Sequence, residues 1–334
     1  MTTRLMLLDT ASMYFRAFFG VPEIKAENGT PVNAVRGLID FINRLVGDYQ
    51  PTHLVCCWDN DWRPQWRVDL IPSYKSHRVV AARPGDQPDI EQVPDPLEIQ
   101  VPVIRAVLDA FGIAIVGADG YEADDVIGTL ATGAGMPVDI VTGDRDLFQL
   151  VDDEAGVRVL YIARGVSRHE RITEDVVREK YAVEASQYAD FATLRGDASD
   201  GLPGVTGVGD KTAATLLQRF GSMAGILAAV DDPDSDLGPN PRSKLRNAME
   251  YLAVAPQVVA VARDIDLGRI DATLPREPND PELVAATRLD PDKLAPLVPM
   301  NGMIGEITAW ASQQLGVPAG TPSPRARSTR SLRP

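Results

Sequence analysis

The sequence has few of the residues that mark secreted, zinc-binding or membrane proteins. Its two cysteines are neighbours, Cys56 and Cys57, and cannot join distant segments, which excludes a disulfide scaffold and favours a reducing compartment. None of the three histidines, His53, His77 and His169, lies beside an acid at a zinc-like spacing. No run is long and apolar enough to span a bilayer. We therefore expect a cytoplasmic protein without membrane contact.

Positive charge is also scarce. The chain has 33 Lys and Arg against 47 Asp and Glu, a formal net charge of −14, which argues against nonspecific attraction to phosphate. The charge is uneven, however: residues 63–83 contain five basic residues and one acid, and residues 318–334 contain arginines and no acid. Because a local patch decides partners more than the total does, nucleic acid remains a candidate partner.

The length of 334 residues predicts two domains. Short apolar runs recur in the first half, at 5–8, 54–58, 113–116, 138–142 and 158–163. They alternate with amphipathic stretches such as 33–46 and 99–111, a pattern typical of a parallel sheet covered by helices on both faces. From about residue 173 the strand pattern fades. Helical stretches are predicted there at 173–181, 186–195, 210–220, 222–230 and 241–265.

Acidic residues cluster after the predicted strands and at predicted helix starts. Nine stand out: Asp9, Asp59, Glu122, Asp124, Asp125, Asp144, Asp146, Asp197 and Asp200. Each alone has an ordinary explanation as a helix cap or turn residue. In a parallel sheet, however, the first seven meet at one edge. So many carboxylates need cations, and oxygen ligands favour Mg²⁺ or Mn²⁺. Two such ions are typical of phosphoryl transfer.

A second motif, "GLPGVTGVGDKTA", covers residues 201–213. Its glycines, Gly204, Gly207 and Gly209, allow backbone N–H groups to approach a phosphate, and the helix that follows adds its dipole. Lys211 and Thr212 supply a charge and a hydroxyl. The pattern is typical of a helix–hairpin–helix that binds DNA backbone without reading sequence, although an ordinary helix–helix turn is an alternative. The spacing does not match a P-loop.

Together these motifs resemble the 5′-3′ exonuclease and flap endonuclease family. The resemblance rests on "LLDTASMYFRAF", "WRVDLIPSYKSHR", "GYEADD", "VTGDRDLFQL" and "GDASDGLPGVTGVGDKTA", and it extends over residues 4–290. It is to a stand-alone bacterial member, similar to the N-terminal nuclease domain of DNA polymerase I. The resemblance implies an α/β fold with a PIN-like parallel sheet flanked by helices, followed by an all-helical domain with the helix–hairpin–helix.

The resemblance also implies roles for individual residues. A first divalent ion would be held by Asp9, Asp59, Glu122, Asp124 and Asp125, and a second by Asp144, Asp146, Asp197 and Asp200. Lys75 and Arg78 would contact the scissile phosphate, and Asp125 would count with them as catalytic. A potassium ion would take the backbone carbonyls of Leu194, Arg195, Pro203, Val205 and Val208. Further DNA contacts would come from Arg16, Arg67, Gly204, Gly207, Gly209, Lys211 and Thr212.

We expect three regions: a catalytic domain at 1–175 with an arch segment at 74–100, a helical DNA-binding domain at 176–317, and a disordered basic tail at 318–334. The chain departs from the family in having Trp66 before Arg67 where Phe is usual. Its arch segment is long, acidic and rich in proline, which opposes one continuous helix there.

The predicted function is structure-specific cutting of DNA by a monomer. Two-metal hydrolysis at 5′ flaps, nicks or 5′ ends would leave a 5′-phosphate and a 3′-hydroxyl, and would remove RNA–DNA primers and repair flaps. Two alternatives remain open. One is a PIN-like ribonuclease, which the hairpin motif disfavours; the other is a non-catalytic protein that binds DNA structures, which the full set of acids disfavours.

Overall fold

The computed structural model describes residues 3–26, 29–81 and 89–275. Its centre is a six-stranded sheet in the order β5-β2-β1-β6-β7-β8, beside a separate two-stranded pair, β3-β4. The strands are β1 (Leu5–Asp9), β2 (His53–Trp58), β3 (Val79–Ala81), β4 (Ile90–Glu91), β5 (Ala114–Gly117), β6 (Val138–Thr142), β7 (Val157–Tyr161) and β8 (Glu170–Ile172). Within the large sheet, β1, β2, β5, β6 and β7 are parallel, as predicted, and β8 is antiparallel to β7.

Helices cover the sheet, and the elements that follow β8 in the described part of the chain are all helices. They are α1 (Thr10–Gly20), α2 (Asn33–Tyr49), α3 (Gln65–Leu70), α4 (Asp95–Glu98), α5 (Gln100–Ala110), α6 (Ala123–Gly133), α7 (Glu174–Tyr181), α8 (Tyr188–Arg195), α9 (Asp210–Phe220), α10 (Met223–Asp231), α11 (Pro239–Asn247) and α12 (Met249–Val259). Among the described residues, no single helix is long and apolar enough to cross a membrane; α9 and α10 meet that criterion only when joined across an 82° bend.

Both faces of β1 are buried, which explains why its sequence is apolar throughout rather than alternating. Met6 and Leu8 belong to a core shared with α2 and α5. Leu5 and Leu7 belong to a second core that includes α6 and continues into the helical region. The same core therefore connects the sheet to the helices that follow it.

The arch segment is not a single helix. Val79 and Glu91 pair across β3 and β4 at its base, and the short helix α4 follows; residues 82–88 lie outside the described part of the chain. The ion pair between Arg63 and Asp89 fastens this base to the segment after β2. Proline supplies no backbone N–H and clashes within a helix interior, so the proline content explains the absence of one long helix.

The helical stretch predicted at 241–265 is wrong in extent. It comprises α11, α12 and then a non-helical stretch of residues 260–275, here called the return segment, which goes back to the sheet. There Leu54 N donates to Ala272 O at 2.8 Å, and Leu274 N donates to Thr52 O at 3.0 Å. Val261 is buried there although it is not part of a helix. The predicted tail at 318–334 lies outside the described residues.

Candidate active site

Three parallel strands end on one side of the sheet, at a cleft of about 800 Å³. β1 ends at Asp9, Asp59 directly follows β2, and Asp144 follows β6 after one glycine. Because β1 lies between β2 and β6, all three carboxylates line the same cleft. The fold therefore brings together side chains that are more than a hundred residues apart in the sequence.

The start of α6 adds two more acids to the cleft, Glu122 and Asp124. Glu122 is the N-cap of this helix. The first helical N–H, from Ala123, donates to Oδ1 of Asp59 at 2.8 Å, and Asp9 caps α1 by accepting from Ser12 N at 3.1 Å. An acid can therefore cap a helix and line the cleft at the same time. Acidic side chains are stabilised at helix starts, and the starts of α1 and α6 lie at this edge of the sheet.

A second group of acids adjoins Asp144. Asp144 Oδ1 accepts from Asp146 N at 2.8 Å, and Asp146 lies close enough to Asp144, Asp197 and Asp200 to be repelled by all three. Asp197 accepts from Ser199 N at 2.8 Å. Oδ1 of Asp146 is buried and has no hydrogen-bond partner. A buried carboxylate oxygen without a donor is costly, so Asp146 lacks a compensating cation at this oxygen, although Arg145 and Arg195 lie beside Asp197.

The pKa values of the acids in the cleft also indicate that too little positive charge surrounds them. Burial, together with repulsion from Asp59 and Asp144, raises the pKa of Asp9 to about 7, despite the hydrogen bond from Thr142. Burial, followed by repulsion from Asp9 and Asp144, raises the pKa of Asp124 well above its usual range. Carboxylates whose anionic forms are destabilised in this way become fully ionised when a cation joins them.

The described residues contain no group of three or more His, Cys, Asp or Glu side chains placed to hold a metal ion as they stand. The reason is visible in their partners. Asp9 Oδ2 accepts from the Thr142 hydroxyl at 2.7 Å, and Glu122 accepts from the Tyr74 hydroxyl at 2.8 Å. Side-chain rotation is therefore required before an ion can bind. The all-oxygen set and the unpartnered Asp146 oxygen fit a hard divalent ion.

Two of the predicted phosphate-binding cations, Lys75 and Arg78, line the cleft. The Lys75 ammonium forms an ion pair with Glu122, and Arg78 Nη2 lies 3.2 Å from Asp200 Oδ1. Lys75 has a left-handed backbone with φ +48°, which is strained for a residue with a side chain. Its N–H donates to Asp200 O at 2.9 Å. The hairpin loop thus holds the strained residue in place.

Arg67 and Asp125 do not line the cleft. The guanidinium of Arg67 is enclosed, with only 2% of the residue exposed, and forms two hydrogen bonds to Asp125. The phosphate contact predicted for Arg67 is therefore not available in this structure, and Asp125 does not line the cleft. Trp66 in place of Phe is explained locally: its indole N–H donates to Gly120 O at 3.1 Å, and Arg67 lies over its ring.

The predicted helix–hairpin–helix is formed by α8, a tight loop and α9. Val205 N donates to Leu194 O at 2.9 Å, and Val208 N donates to Val205 O at 2.9 Å. Gly204 has φ +64°, and a β-carbon there would lie 2.4 Å from Arg195 O. Only glycine fits such a position. Gly209 begins α9 without a side-chain cap, so the first N–H groups of that helix are left for another acceptor.

The remaining residues predicted to contact DNA lie in the cleft and in the first turn of α9. Arg16 lines the cleft and donates to Ala163 O at 3.0 Å, while Lys211 and Thr212 lie in the first turn of α9. One acid was missed: Glu91, on β4, lines the cleft, where burial raises its pKa. No spacing in the sequence could have identified it, because only the pairing of β4 with β3 brings it there.

Comparison with known families decides which family this is. The model described as "5′-3′ exonuclease, N-terminal resolvase-like domain" matches residues 4–182. The model described as "5′-3′ exonuclease, C-terminal SAM fold" matches residues 183–282. The chain belongs to the 5′-3′ exonuclease family. The family resemblance seen in the sequence motifs is thereby confirmed.

This chain aligns with nearly the full length of two relatives and with part of a third. A Streptomyces coelicolor protein named 5′-3′ exonuclease is 64% identical over 276 residues, which is 82% of this chain and 91% of that protein. A Mycobacterium tuberculosis protein of the same name is 50% identical over 314 residues, 92% of this chain and 96% of that protein. DNA polymerase I of M. tuberculosis is 38% identical over 281 residues, which is 83% of this chain but 29% of the polymerase.

Solved structures share the fold. A bacteriophage T5 flap endonuclease determined with DNA and metal ions has a TM-score of 0.58 at 19% identity, covering 77% of this exonuclease-family chain and 88% of that one. The catalytic core of Rad2 in complex with DNA has a TM-score of 0.53 at 16% identity, covering 81% and 83%. At these identities the likeness establishes the α/β sheet and helical arrangement alone.

Proposed function

We propose that this chain is a divalent-metal-dependent nuclease that cuts DNA at 5′ flaps and removes nucleotides from 5′ ends. The observation that carries the proposal is the convergence of Asp9, Asp59 and Asp144 in one cleft. The cleft also contains two cations suited to phosphate. The relatives named 5′-3′ exonuclease support the same function, and the T5 flap endonuclease and Rad2 cores share its fold.

The acids divide into two sets that would hold two ions, Mg²⁺ or Mn²⁺. The first set is Asp9, Asp59, Glu122 and Asp124, and the second is Asp144, Asp146, Asp197 and Asp200. Bound ions would stabilise the negative charge on the attacking and leaving oxygens of the phosphodiester, which gives a 5′-phosphate and a 3′-hydroxyl. Asp125 is left out of the first set because it does not line the cleft.

Lys75 and Arg78 would stabilise the charge that develops on the scissile phosphate. Lys75 has this position only after it leaves Glu122, and its departure also frees Glu122 for an ion. The ion pair between them therefore neutralises both groups until they separate. Arg16, which also lines the cleft, would bind a neighbouring phosphate.

The hairpin would hold the duplex by its backbone. Gly204, Gly207 and Gly209 allow close approach, and the uncapped N-terminus of α9 offers N–H groups to a phosphate. Lys211 and Thr212 would add direct contacts. A potassium ion bridging to the phosphate would use the carbonyls of Leu194, Arg195, Pro203, Val205 and Val208. Such contacts read no sequence, so substrates would be chosen by structure: flaps, nicks, 5′ ends and RNA–DNA primers. A monomer suffices for this.

An end-labelled duplex with a 5′ flap, incubated with and without Mg²⁺ or Mn²⁺, tests the proposal. We expect cutting only with the ions. Asp144→Asn should slow it by about 100-fold or more while changing flap affinity by less than about threefold. Asp69→Asn, an exposed acid bonded only to Gln65, is the control and should cut normally.

The outcomes distinguish the alternatives. Flap binding without cutting in any divalent ion would identify a non-catalytic DNA-binding protein. Cutting of single-stranded RNA with no preference for a DNA flap would identify a PIN-like ribonuclease.

A further inference from the structure

Asp125 has a different environment from the acids of the cleft. It is fully buried, and each of its carboxylate oxygens accepts two hydrogen bonds. Oδ1 accepts from Arg67 Nη2 at 2.7 Å and from Ala262 N at 2.9 Å. Oδ2 accepts from Arg67 Nη1 at 2.8 Å and from Glu122 N at 3.2 Å. A carboxylate has about four lone-pair sites, so protein donors occupy all of them.

Arg67, the partner of Asp125, also makes contacts with other groups. Its Nε donates to Val258 O near the end of α12 at 3.1 Å, and its Nη1 lies 3.3 Å from Oε1 of Glu122. An ion that took Asp125 as a ligand would have to displace this guanidinium and leave it buried without its counter-charge. Breaking a buried ion pair in that way is strongly unfavourable. Within the described residues, Asp9, Asp59 and Asp124 have no ion pair to break, and Glu122 has to release Lys75.

The pair also connects the cleft with the helical region. Helix α12 packs against α8, where the Tyr251 hydroxyl donates to Thr193 O at 3.1 Å, next to the start of the hairpin. The other end of α12 is held by Arg67, and Ala262 of the return segment is held by Asp125. Arg67 and Asp125 in turn contact Glu122 at the wall of the cleft. A continuous set of contacts therefore connects the hairpin with a predicted metal ligand.

We propose that Asp125 is a positioning residue and not a metal ligand: together with Arg67 it orients Glu122 in the cleft and fastens α12 and the return segment against it. The proposal rests on the metal-dependent function proposed above. It reassigns one acid of a cluster that the sequence alone treats as equivalent, and it gives Arg67 a role other than phosphate contact.

Mn²⁺ binding to the whole chain without DNA, followed by calorimetry and by electron paramagnetic resonance, tests the assignment. Asp124→Asn should weaken Mn²⁺ binding by about tenfold or more, whereas Asp125→Asn should change it by less than about threefold. Asp69→Asn is the matched control on α3. An equal loss in Asp125→Asn and Asp124→Asn would overturn the proposal. Absence of Mn²⁺ binding by the unaltered chain would overturn the metal-dependent function as well.

Flap cutting then tests the positioning role. Asp125→Asn and Arg67→Gln should each lower kcat by about tenfold with KM changed by less than about threefold, and the double variant should be no slower than either single variant. Losses that multiply in the double variant would show that the two residues do not act as a unit. If Asp125→Asn fails to fold by circular dichroism, the double variant, which removes both buried charges, replaces it in the Mn²⁺ titration. Retained binding supports the proposal and lost binding overturns it.

Discussion

The ammonium group of Lys75 and the carboxylate of Glu122 neutralise each other at the cleft. One is a proposed phosphate ligand and the other a proposed metal ligand, so the two groups that pair here are those that separate to bind substrate and ion. Lys75→Met should therefore have opposite effects on the two ligands. Removing the cation leaves more negative charge for a divalent ion, while the scissile phosphate loses its partner.

For Lys75→Met we expect Mg²⁺ affinity to rise by about threefold and kcat on a flap duplex to fall by about 100-fold. Calorimetry and single-turnover cutting measure the two quantities. A parallel fall in both would show that Lys75 supports the metal site rather than competing with it.

Asp146→Asn should stabilise the metal-free protein. Asp146 is buried, has an oxygen without a partner, and is repelled by three other acids, which Arg195 offsets only in part, so a neutral amide removes a poorly compensated charge. We expect the free energy of unfolding in EDTA to rise by about 1 kcal/mol. In millimolar Mg²⁺ the unaltered chain should gain stability through ion binding and the variant should gain less. A lower melting temperature for the variant in EDTA would contradict this account.

The hairpin offers a pair of glycines with different constraints. Gly204→Ala places a β-carbon 2.4 Å from Arg195 O at a positive φ, and should cost about 2–3 kcal/mol of stability. Gly209→Ala meets nothing within 4 Å and should cost less than about 1 kcal/mol. Denaturant unfolding measures both. Gly209 is the N-cap of α9, where duplex binding is proposed, so its variant should still weaken duplex binding as measured by fluorescence anisotropy. Equal losses of stability in the two variants would contradict the distinction between the two glycines.

Helix α6 offers a second matched pair. A β-carbon on Gly128 would lie 2.4 Å from Ala262 O, so Gly128→Ala should push the return segment away and destabilise the chain by about 2 kcal/mol. Gly133, in the last turn of the same helix, has nothing within 4 Å, and Gly133→Ala should stabilise by up to about 1 kcal/mol. Limited proteolysis should cleave the first variant faster between residues 260 and 275. Equal cleavage of both variants would show that the segment is held by other contacts.

The two cysteines should be inert in the folded protein. Both are buried, and burial raises the pKa of the Cys56 thiol to about 12 and that of Cys57 well above its usual range. The thiols therefore stay protonated at pH 8, and the thiolate is the reactive form. A thiol reagent at pH 8 should label neither residue until denaturant is added. Rapid labelling without denaturant would contradict the buried position of β2.

Much of the sheet could be predicted because its central strands β1, β2 and β6 are buried on both faces, so uninterrupted apolar runs such as residues 5–8 mark them directly. The antiparallel strand β8 and the pair β3-β4 were missed, since they are short and lie at an edge or outside the sheet. The first residues of the return segment were assigned to the helical stretch 241–265, since no signal in the sequence marks the end of α12 at Val259.

Within the site, the sequence placed Asp9, Asp59 and Asp144 together because parallel strands share one carboxyl edge. It could not separate Asp125 from Asp124. The two are adjacent in the same first helical turn, and only the packing of Arg67 and Ala262 on one side of α6 distinguishes them. Glu91 was missed for a related reason, since its place depends on a contact between distant segments.

The return segment also has a consequence for folding during synthesis. The Leu54 N–H and the Thr52 carbonyl, at the start of β2, bond to Ala272 O and Leu274 N, more than two hundred residues later. The sheet therefore stays incomplete at this edge while the helical region is being translated. Pairing over so long a separation is slow to form, and an unpaired strand edge can bind other chains. Nascent chains that stall before residue 272 should be the aggregation-prone species of this protein.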